Sequence, residues 1–336
     1  MEDAVLVTGG AGYIGSHIVV ELARAGFRPV VIDNFCNSSP AVVPRLRRIT
    51  EQAVPLITAD VRDRAALTQA LAQYAVSAVV HCAGLKAIGE GEQRPAAYYD
   101  NNVGGAIALV EAMAETGVAR LVFSSSAAVY GEPEKNPVPE SAAVRPTSVY
   151  GRTKRVIEQL LDDVAACDRS WRVALLRYFN PAGAHASGAI GEAPSGVPNN
   201  LLPLLADVAA GKREDVAVYG NDWPTPDGTG VRDYIHVTDL AAGHVAALAH
   251  LVSSPGVLTL NLGTGRGHSV LEVIAAFERA CGRPLKRRFA PRRPGDVAAT
   301  YADPARAEAV LGVRARRGID AICADAWRWA RERPVE

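Results

Sequence analysis

The stretch from Ala4 to Gly15 constrains this chain more than any other. Ala4-Val5-Leu6-Val7-Thr8 is a short, almost wholly apolar run of strand length, and it leads straight into Gly9-Gly10-Ala11-Gly12-Tyr13-Ile14-Gly15. Such a run fits a parallel strand buried on both faces. The glycines satisfy both GxGxxG (Gly10, Gly12, Gly15) and GxxGxxG (Gly9, Gly12, Gly15), and a helix is expected to follow, ending near Gly26. Glycines there permit a tight turn and let backbone amides approach a pyrophosphate at the positive end of the helix. The plainer alternative is a turn that only packs helix on sheet.

The same pattern recurs downstream. Pro29-Val30-Val31-Ile32 reads as a second buried strand ending at Asp33. An acid in that place accepts hydrogen bonds from ribose hydroxyls and repels a 2′-phosphate, which favours NAD over NADP; a capping or turn role is the alternative. Asn34 and Asn37 could line the same adenosine pocket. Leu56 to Ala59 predicts a strand that delivers Asp60-Val61, a contact to adenine or a helix cap. Strands at Ala78 to His81, Arg120 to Phe123 and Val173 to Leu176, with a helix from about Tyr99 to Thr116, continue the alternation. The expected fold class is α/β, a doubly wound parallel (Rossmann) sheet with a smaller mixed α/β substrate-binding domain, ligands gathering beyond the strand carboxyl ends. His81, inside an apolar strand, reads as a core histidine. Residues 1–178 are expected to hold the dinucleotide, with a return of the chain near 236–260, and residues 179–336 the substrate.

Beyond the serine run Ser124-Ser125-Ser126 and a Pro, Glu and Gly-rich segment from Ala127 to Pro146, expected to be a surface loop, stands Tyr150-Gly151-Arg152-Thr153-Lys154. With Ser148 as helix cap, Tyr150 and Lys154 share one helical face. A free phenol is a poor base near neutrality, and an adjacent ammonium favours the phenolate. An amphipathic helix with a surface lysine is the alternative. After Leu176 the chain grows rich in Gly, Pro and Asn. Val216 to Tyr219 predicts a short strand, Gly228 to Tyr234 a loop, and helices are expected over Thr238 to Leu251, Ser269 to Cys281, Arg306 to Leu311 and Ile319 to Arg331. Arg232 and Arg293 are placed to take a diphosphate bidentately or to serve as ordinary salt-bridge residues.

Composition excludes several classes. The 36 lysines and arginines balance 36 aspartates and glutamates, so no net field recruits nucleic acid or an acidic membrane. Cys36, Cys82, Cys167, Cys281 and Cys323 are far apart and form no CxxC pair, which argues against a disulfide framework or a zinc site. A strand follows Met1 almost at once and no apolar run approaches membrane-spanning length. The expectation is a cytoplasmic protein with no bound metal and no nucleic-acid or membrane partner.

Taken together, the glycine motif, the serine run and the Tyr150/Lys154 pair resemble the extended, sugar-nucleotide-modifying branch of the short-chain dehydrogenase/reductase superfamily, and within it the 4-epimerase family acting on UDP-glucose and UDP-galactose. The resemblance runs over essentially the whole chain, through Gly12 to His17, Ala83 to Ala87, Tyr98 to Val103, Leu176 to Pro181, Pro198 to Leu201 and Gly228 to Val237. It implies NAD as a tightly held cofactor, a UDP-sugar substrate, a homodimer and a place in galactose metabolism. By the same resemblance Tyr150 takes the proton of the sugar 4-hydroxyl, Lys154 lowers the pKa of Tyr150 and holds the nicotinamide ribose, and Ser126 hydrogen-bonds O4. The C4 hydride leaves and returns on the opposite face of a 4-keto sugar.

Cofactor contacts implied by the resemblance are Gly9, Gly12, Tyr13, Ile14, Gly15, Asp33, Asn34, Phe35, Cys36, Asn37, Ser38, Asp60, Val61, Cys82, Ala83, Gly84, Leu85, Lys86, Asn101, Ser124, Tyr150, Lys154 and Phe179. Substrate contacts so implied are Ser126, Tyr150, Asn180, Asn200, Leu201, Ala217, Val218, Tyr219, Arg232, the Arg293 to Asp296 segment and Thr300. Two positions depart from the family pattern. Cys82 replaces a usual Phe, loosening the nicotinamide side. Thr300 replaces the Tyr of strict glucose/galactose enzymes, which implies room for an N-acetyl group and activity on UDP-GlcNAc and UDP-GalNAc.

Rival readings separate on chemistry. A 4,6-dehydratase needs an Asp-Glu pair beside its active-site Ser/Thr, whereas Ser126 is followed by Ala127-Ala128-Val129. A UDP-glucuronate 4-epimerase differs only in pocket detail. A non-catalytic, NAD-binding regulator has no need of a tuned phenol, and Tyr150, Lys154 and Ser126 argue against it.

Overall fold

The computed structural model describes residues 3–333 apart from 195, 197 and 294. Strand β1 (Ala4–Thr8) is buried along its whole length, and α1 (Tyr13–Arg24) follows the glycine turn. Then come β2 (Arg28–Asp33), α2 (Val42–Thr50), β3 (Leu56–Thr58), α3 (Arg64–Gln73) and β4 (Val76–His81). Short helices α4 (Ile88–Gln93) and α5 (Pro95–Tyr98) lead through a π-helical turn at Tyr99–Gly104 into α6 (Gly105–Thr116). β5 (Arg120–Ser126), α7 (Val149–Cys167) and β6 (Arg172–Tyr178) complete the alternation.

These strands join β10 (Gly256–Leu262) in a seven-stranded sheet of order β10-β6-β5-β4-β1-β2-β3, all neighbours parallel. Alternation along β1 explains why the run had to be apolar throughout: Val5 and Val7 enter the core beneath α1, while Ala4 and Leu6 enter the core on the opposite face. The strand order reverses between β1 and β4, and a crevice at such a point is where ligands gather in sheets of this kind.

The remaining elements are β7 (Asn180–Ala182), α8 (Leu201–Ala209), β8 (Val216–Tyr219), β9 (Val231–His236), α9 (Val237–His250), β11 (Gly267–Ser269), α10 (Val270–Cys281), β12 (Arg287–Ala290), β13 (Ala299–Thr300), α11 (Ala305–Leu311) and α12 (Ile319–Glu332). A third core unites α8, β8, β9, α10 and α12 around Leu205, Val218, Tyr234, Phe277 and Ile322.

Two expectations need correction. Gly228 to Tyr234 is not one loop, because β9 begins at Val231 and pairs in parallel with both β7 and β13. Its Asp233 is buried and accepts from the backbone amides of Thr264, Gly265 and Ala302 at 2.9–3.1 Å, tying β9 to the turn after β10. No local pattern announces a strand held by partners so distant in sequence. Nor is the segment from Ala127 to Pro146 wholly a surface loop, since Val129, Tyr130 and Val138 are fully or nearly fully buried and pack with Phe179 and Ala302.

Candidate active site

The glycine turn is built for close approach. Gly9 has φ of +68°, and a Cβ there would lie 2.9 Å from the Ala83 backbone; a Cβ on Gly15 would lie 2.2 Å from the Gly9 carbonyl oxygen. Only glycine fits either position. At the end of β2, the Asp33 carboxylate accepts from Ala11 N at 3.0 Å, Phe35 N at 2.9 Å and the Ser38 hydroxyl at 2.8 Å, which fixes it beside that turn. A glycine cradle at a helix start with a held carboxylate alongside fits the diphosphate and ribose of a dinucleotide.

The serine run forms the last three residues of β5 and does not lie past it, so its side chains alternate. Ser125 turns to α7 and donates to Glu158 at 2.7 Å. Ser124 faces the other way, 2.9 Å from His244 Nε2; because His244 Nδ1 donates to the Leu240 carbonyl at 2.9 Å, Nε2 is the acceptor of the Ser124 hydroxyl. Ser126 reaches the cavity, where its hydroxyl acts on Tyr150 to pull the phenol pKa down.

α7 starts where the Ser148 hydroxyl accepts from Gly151 N at 3.1 Å, and this cap places Tyr150 and Lys154 on one face. Both are buried. Lys154 Nζ donates to the Ser124 carbonyl at 2.8 Å and lies 5.9 Å from the centre of the Tyr150 ring. Burial pushes the Tyr150 phenol up to about 12, with Ser126 pulling it down, and burial pushes Lys154 down to about 8. The expected lowering of the phenol by Lys154 therefore does not set its pKa in this structure: removal from water dominates, and the counter-pull comes from Ser126. Cys82, with Sγ 3.2 Å from the Ser124 hydroxyl, is pushed up to about 11 by burial and is a neutral thiol at pH 7.

All of this opens into one cavity of about 890 Å³, lined from the glycine turn to Arg232 and Thr300. Asn180 sits on β7, Arg232 on β9 and Thr300 on β13; Thr300 pairs with Arg232 in the ladder. Arg232 is partly buried, and burial lowers its guanidinium pKa.

A family model described as "NAD dependent epimerase/dehydratase family" matches residues 5–263. The chain belongs to that family. It is 53% identical to a UDP-glucose 4-epimerase of Yersinia pestis over 98% of each chain, and 54% identical to one of Bacillus subtilis over 97% of this chain and 96% of the relative. Among solved structures, a UDP-glucose-4-epimerase from Stenotrophomonas maltophila with bound NAD and formylated UDP-arabinopyranose superposes with TM-score 0.96 at 51% identity, covering 98% of both chains. The enzyme from Bifidobacterium longum in complex with NAD+ and UDP gives 0.96 at 48%, covering 98% of this chain and 99% of that one.

For this family member, most positions named from sequence meet at the cavity: Gly9, Gly12, Tyr13, Ile14, Gly15, Asp33, Asn34, Cys36, Asn37, Ser38, Val61, Cys82, Ala83, Gly84, Lys86, Asn101, Ser126, Tyr150, Lys154, Phe179, Asn180, Asn200, Arg232, Asp296 and Thr300 line it. The rest stand back from it. Phe35 packs on the core beneath α1, and Leu85 packs with Tyr98, Val149 and Tyr150. Asp60 is held by Arg62, whose guanidinium keeps it well below the usual carboxylate range. Ser124 faces His244. Leu201 and Val218 belong to the third core, with Ala217 and Tyr219 on the other face of β8. Arg293 donates to Asp296 at 2.9 Å and lies 4.6 Å over the Tyr219 ring, so it is engaged beside the cavity, not in its wall. Pro294 of that segment lies outside the described residues, as does Val197 upstream.

Three residues with evident structural work escaped the sequence reading. Asn102 binds Leu85 N and O at 2.8 and 3.0 Å and Thr153 at 3.0 Å, locking the loop after β4 to α7. Its place on the π-helical turn is the signal, and that turn is invisible to a 3.6-residue period. Tyr178, which falls inside the Leu176 to Pro181 motif without a role assigned to it, and Glu192, which no motif distinguishes, also line the cavity.

Proposed function

We propose that this chain catalyses the NAD-dependent, reversible C4 epimerisation of UDP-glucose and UDP-galactose through a 4-keto sugar. The observation that carries the reading is that Tyr150, Ser126 and Lys154 line one wall of a cavity that reaches from the glycine turn to Arg232, with Lys154 Nζ 5.9 Å from the centre of the Tyr150 ring. The glycine turn and Asp33 would hold NAD, with Lys154 and the loop from Cys82 to Lys86 on its nicotinamide side. When bound, NAD accepts the C4 hydride and gives it back, and its positively charged oxidised ring adds to the field of Lys154 at Tyr150. Tyr150 takes the proton from O4 and returns it, while Ser126 hydrogen-bonds the same oxygen. Lys154, held by the Ser124 carbonyl, stabilises the phenolate whenever it forms. Arg232 takes the diphosphate as a partly desolvated guanidinium, whose charge is worth more there than in open water.

Purified protein incubated with UDP-galactose tests this: UDP-glucose should accumulate to equilibrium. Binding without turnover would favour a regulator, and a 4-keto-6-deoxy product a dehydratase. All five cysteines are free, which supports a reducing, cytoplasmic setting. We read residues 1–178 with the return near 236–260 as the NAD-binding region and residues 179–336 as the sugar-nucleotide region; the place of β10 beside β6 supports this. Tyr99 and Ile107, 37% and 42% exposed and about two helical turns apart, support a homodimer face that sedimentation would detect. Thr300 lines the cavity beside Arg232, which favours a second activity on UDP-GlcNAc. No turnover of UDP-GlcNAc by wild type, or none lost in Thr300→Tyr, would sink that extension.

A further inference from the structure

Two anionic nucleotides share the proposed cavity, yet its wall carries a carboxylate that the chemistry above does not use. Glu192 lines the cavity, and its side chain is only 12% exposed. One oxygen, Oε1, accepts from Lys86 Nζ at 3.0 Å and from Asn200 Nδ2 at 2.5 Å. Lys86 belongs to the loop after β4, on the wall built around the glycine turn, and Asn200 opens α8 on the opposite wall, so a single atom joins the two. The backbone of this residue is fixed from a third direction. Its carbonyl accepts from Trp329 Nε1 of α12 at 3.0 Å, and a Cβ at the neighbouring Gly191 would lie 2.5 Å from the Trp329 ring. Glu192 is thus anchored to the body of the protein while its carboxylate spans the cavity wall.

Asn200 shows what the span does. Asparagine at the N-cap of a helix ordinarily accepts a first-turn N–H with its side-chain oxygen. Asn200 occupies the N-cap of α8 with extended backbone, and among the described residues it makes no side-chain capping bond; its amide is turned to Glu192. A capping bond is forgone for a bond to a carboxylate, which is the stronger of the two.

We propose that Glu192 is a positioning residue for the sugar nucleotide: its carboxylate bridges Lys86 to Asn200 and holds the Asn200 side chain at the cavity wall instead of on the end of α8. The inference rests on the UDP-sugar reading above. It predicts an effect opposite in sign to simple electrostatics. A carboxylate near a diphosphate repels it, and deleting the carboxylate also frees the Lys86 ammonium, so charge alone requires Glu192→Ala to bind UDP more tightly. Positioning requires it to bind UDP more weakly, because Asn200 then falls back to cap α8.

The test uses NAD-loaded protein, with UDP binding measured by calorimetry and kcat and KM measured on UDP-galactose. Glu192→Ala is expected to weaken UDP binding about tenfold, the size of one lost charge-assisted hydrogen bond, and to raise KM by a similar factor with kcat within about twofold. In an Asn200→Ala background the same substitution should cost nothing further, since its effect passes through Asn200. UDP binding that is unchanged or tighter in Glu192→Ala, or an undiminished loss in the Asn200→Ala background, overturns the proposal. Should the alanine variant fail to fold, Glu192→Gln decides: UDP held two- to fivefold more weakly supports positioning, by the same arithmetic at partial loss, and UDP held as tightly as in wild type or more so overturns it. Wild-type protein that binds no UDP overturns the epimerase reading and this inference with it.

Discussion

Glu158 and Arg177 form a buried, two-pronged ion pair, with Arg177 Nε and Nη2 each donating to a separate carboxylate oxygen at 2.8 Å. Glu158 lies one turn beyond Lys154 on α7 and Arg177 on β6, so the pair clamps the helix that carries Tyr150 against the sheet that carries Ser126. Ser125 and Tyr130 complete it: Ser125 donates to Glu158 at 2.7 Å, and the Arg177 guanidinium donates to the Tyr130 hydroxyl at 3.2 Å.

Removing one partner strands the other charge where water cannot reach it. Glu158→Ala should destabilise the protein by about 3–5 kcal/mol, far more than loss of an exposed pair such as Arg94 with Glu90. Denaturant unfolding of Glu158→Ala and Glu90→Ala checks this; equal effects would mean that the clamp contributes no more than a surface contact.

Tyr150→Phe keeps the ring and its packing but deletes the proton-transferring oxygen. Turnover of UDP-galactose should fall by roughly 10²–10⁴-fold, while bound NAD, read from the absorbance of the protein after denaturation, stays at the wild-type ratio. Loss of NAD in step with turnover would mean that the hydroxyl serves binding and not proton transfer.

Activity should decline on the alkaline side as Lys154 loses its proton. Burial places that pKa at about 8, and the ammonium is the charged form that favours a phenolate at Tyr150. The kcat profile is expected to bend downward near pH 8, and Lys154→Arg, which does not titrate there, should move the bend upward. A profile flat to pH 10 in wild type would exclude the role.

Stability should fall on the acid side for a different reason. Burial depresses His17 and His81 to about 3 and His244 to about 4. The unfolded chain binds these protons from about pH 6.5 downward while the folded chain does not, so stability is fully present above pH 6.5 and is lost as pH falls below it. Each histidine contributes a loss of roughly 2 kcal/mol between pH 6.5 and 5. Melting temperatures at pH 7.5 and 5 check the sign, and His17→Gln, at a site whose Nε2 has no partner among the described residues, should flatten the slope.

The sequence by itself determined the parallel sheet, the glycine turn and the Tyr150/Lys154 pairing, because each rests on contacts within a few residues. An apolar run demands burial on both faces, Gly15 tolerates no Cβ against Gly9, and a capped helix puts positions four apart on one face. β1 and β8 fall where the periodicity placed them, and α12 runs one residue past its expected end. Tertiary structure alone decided what depends on partners far along the chain. Asp233 makes a strand of an expected loop by holding amides 31 to 69 residues away. Ser124 stands behind the cavity wall, one strand repeat deeper than Ser126 on the same face, where His244, 120 residues on, supplies its acceptor. Burial, which no local pattern reveals, pushes Tyr150 up where an adjacent ammonium alone would push it down. Glu192 joins Lys86 to Asn200 across 106 residues of chain on one side and 8 on the other, a relation that exists only once the two walls of the cavity have come together.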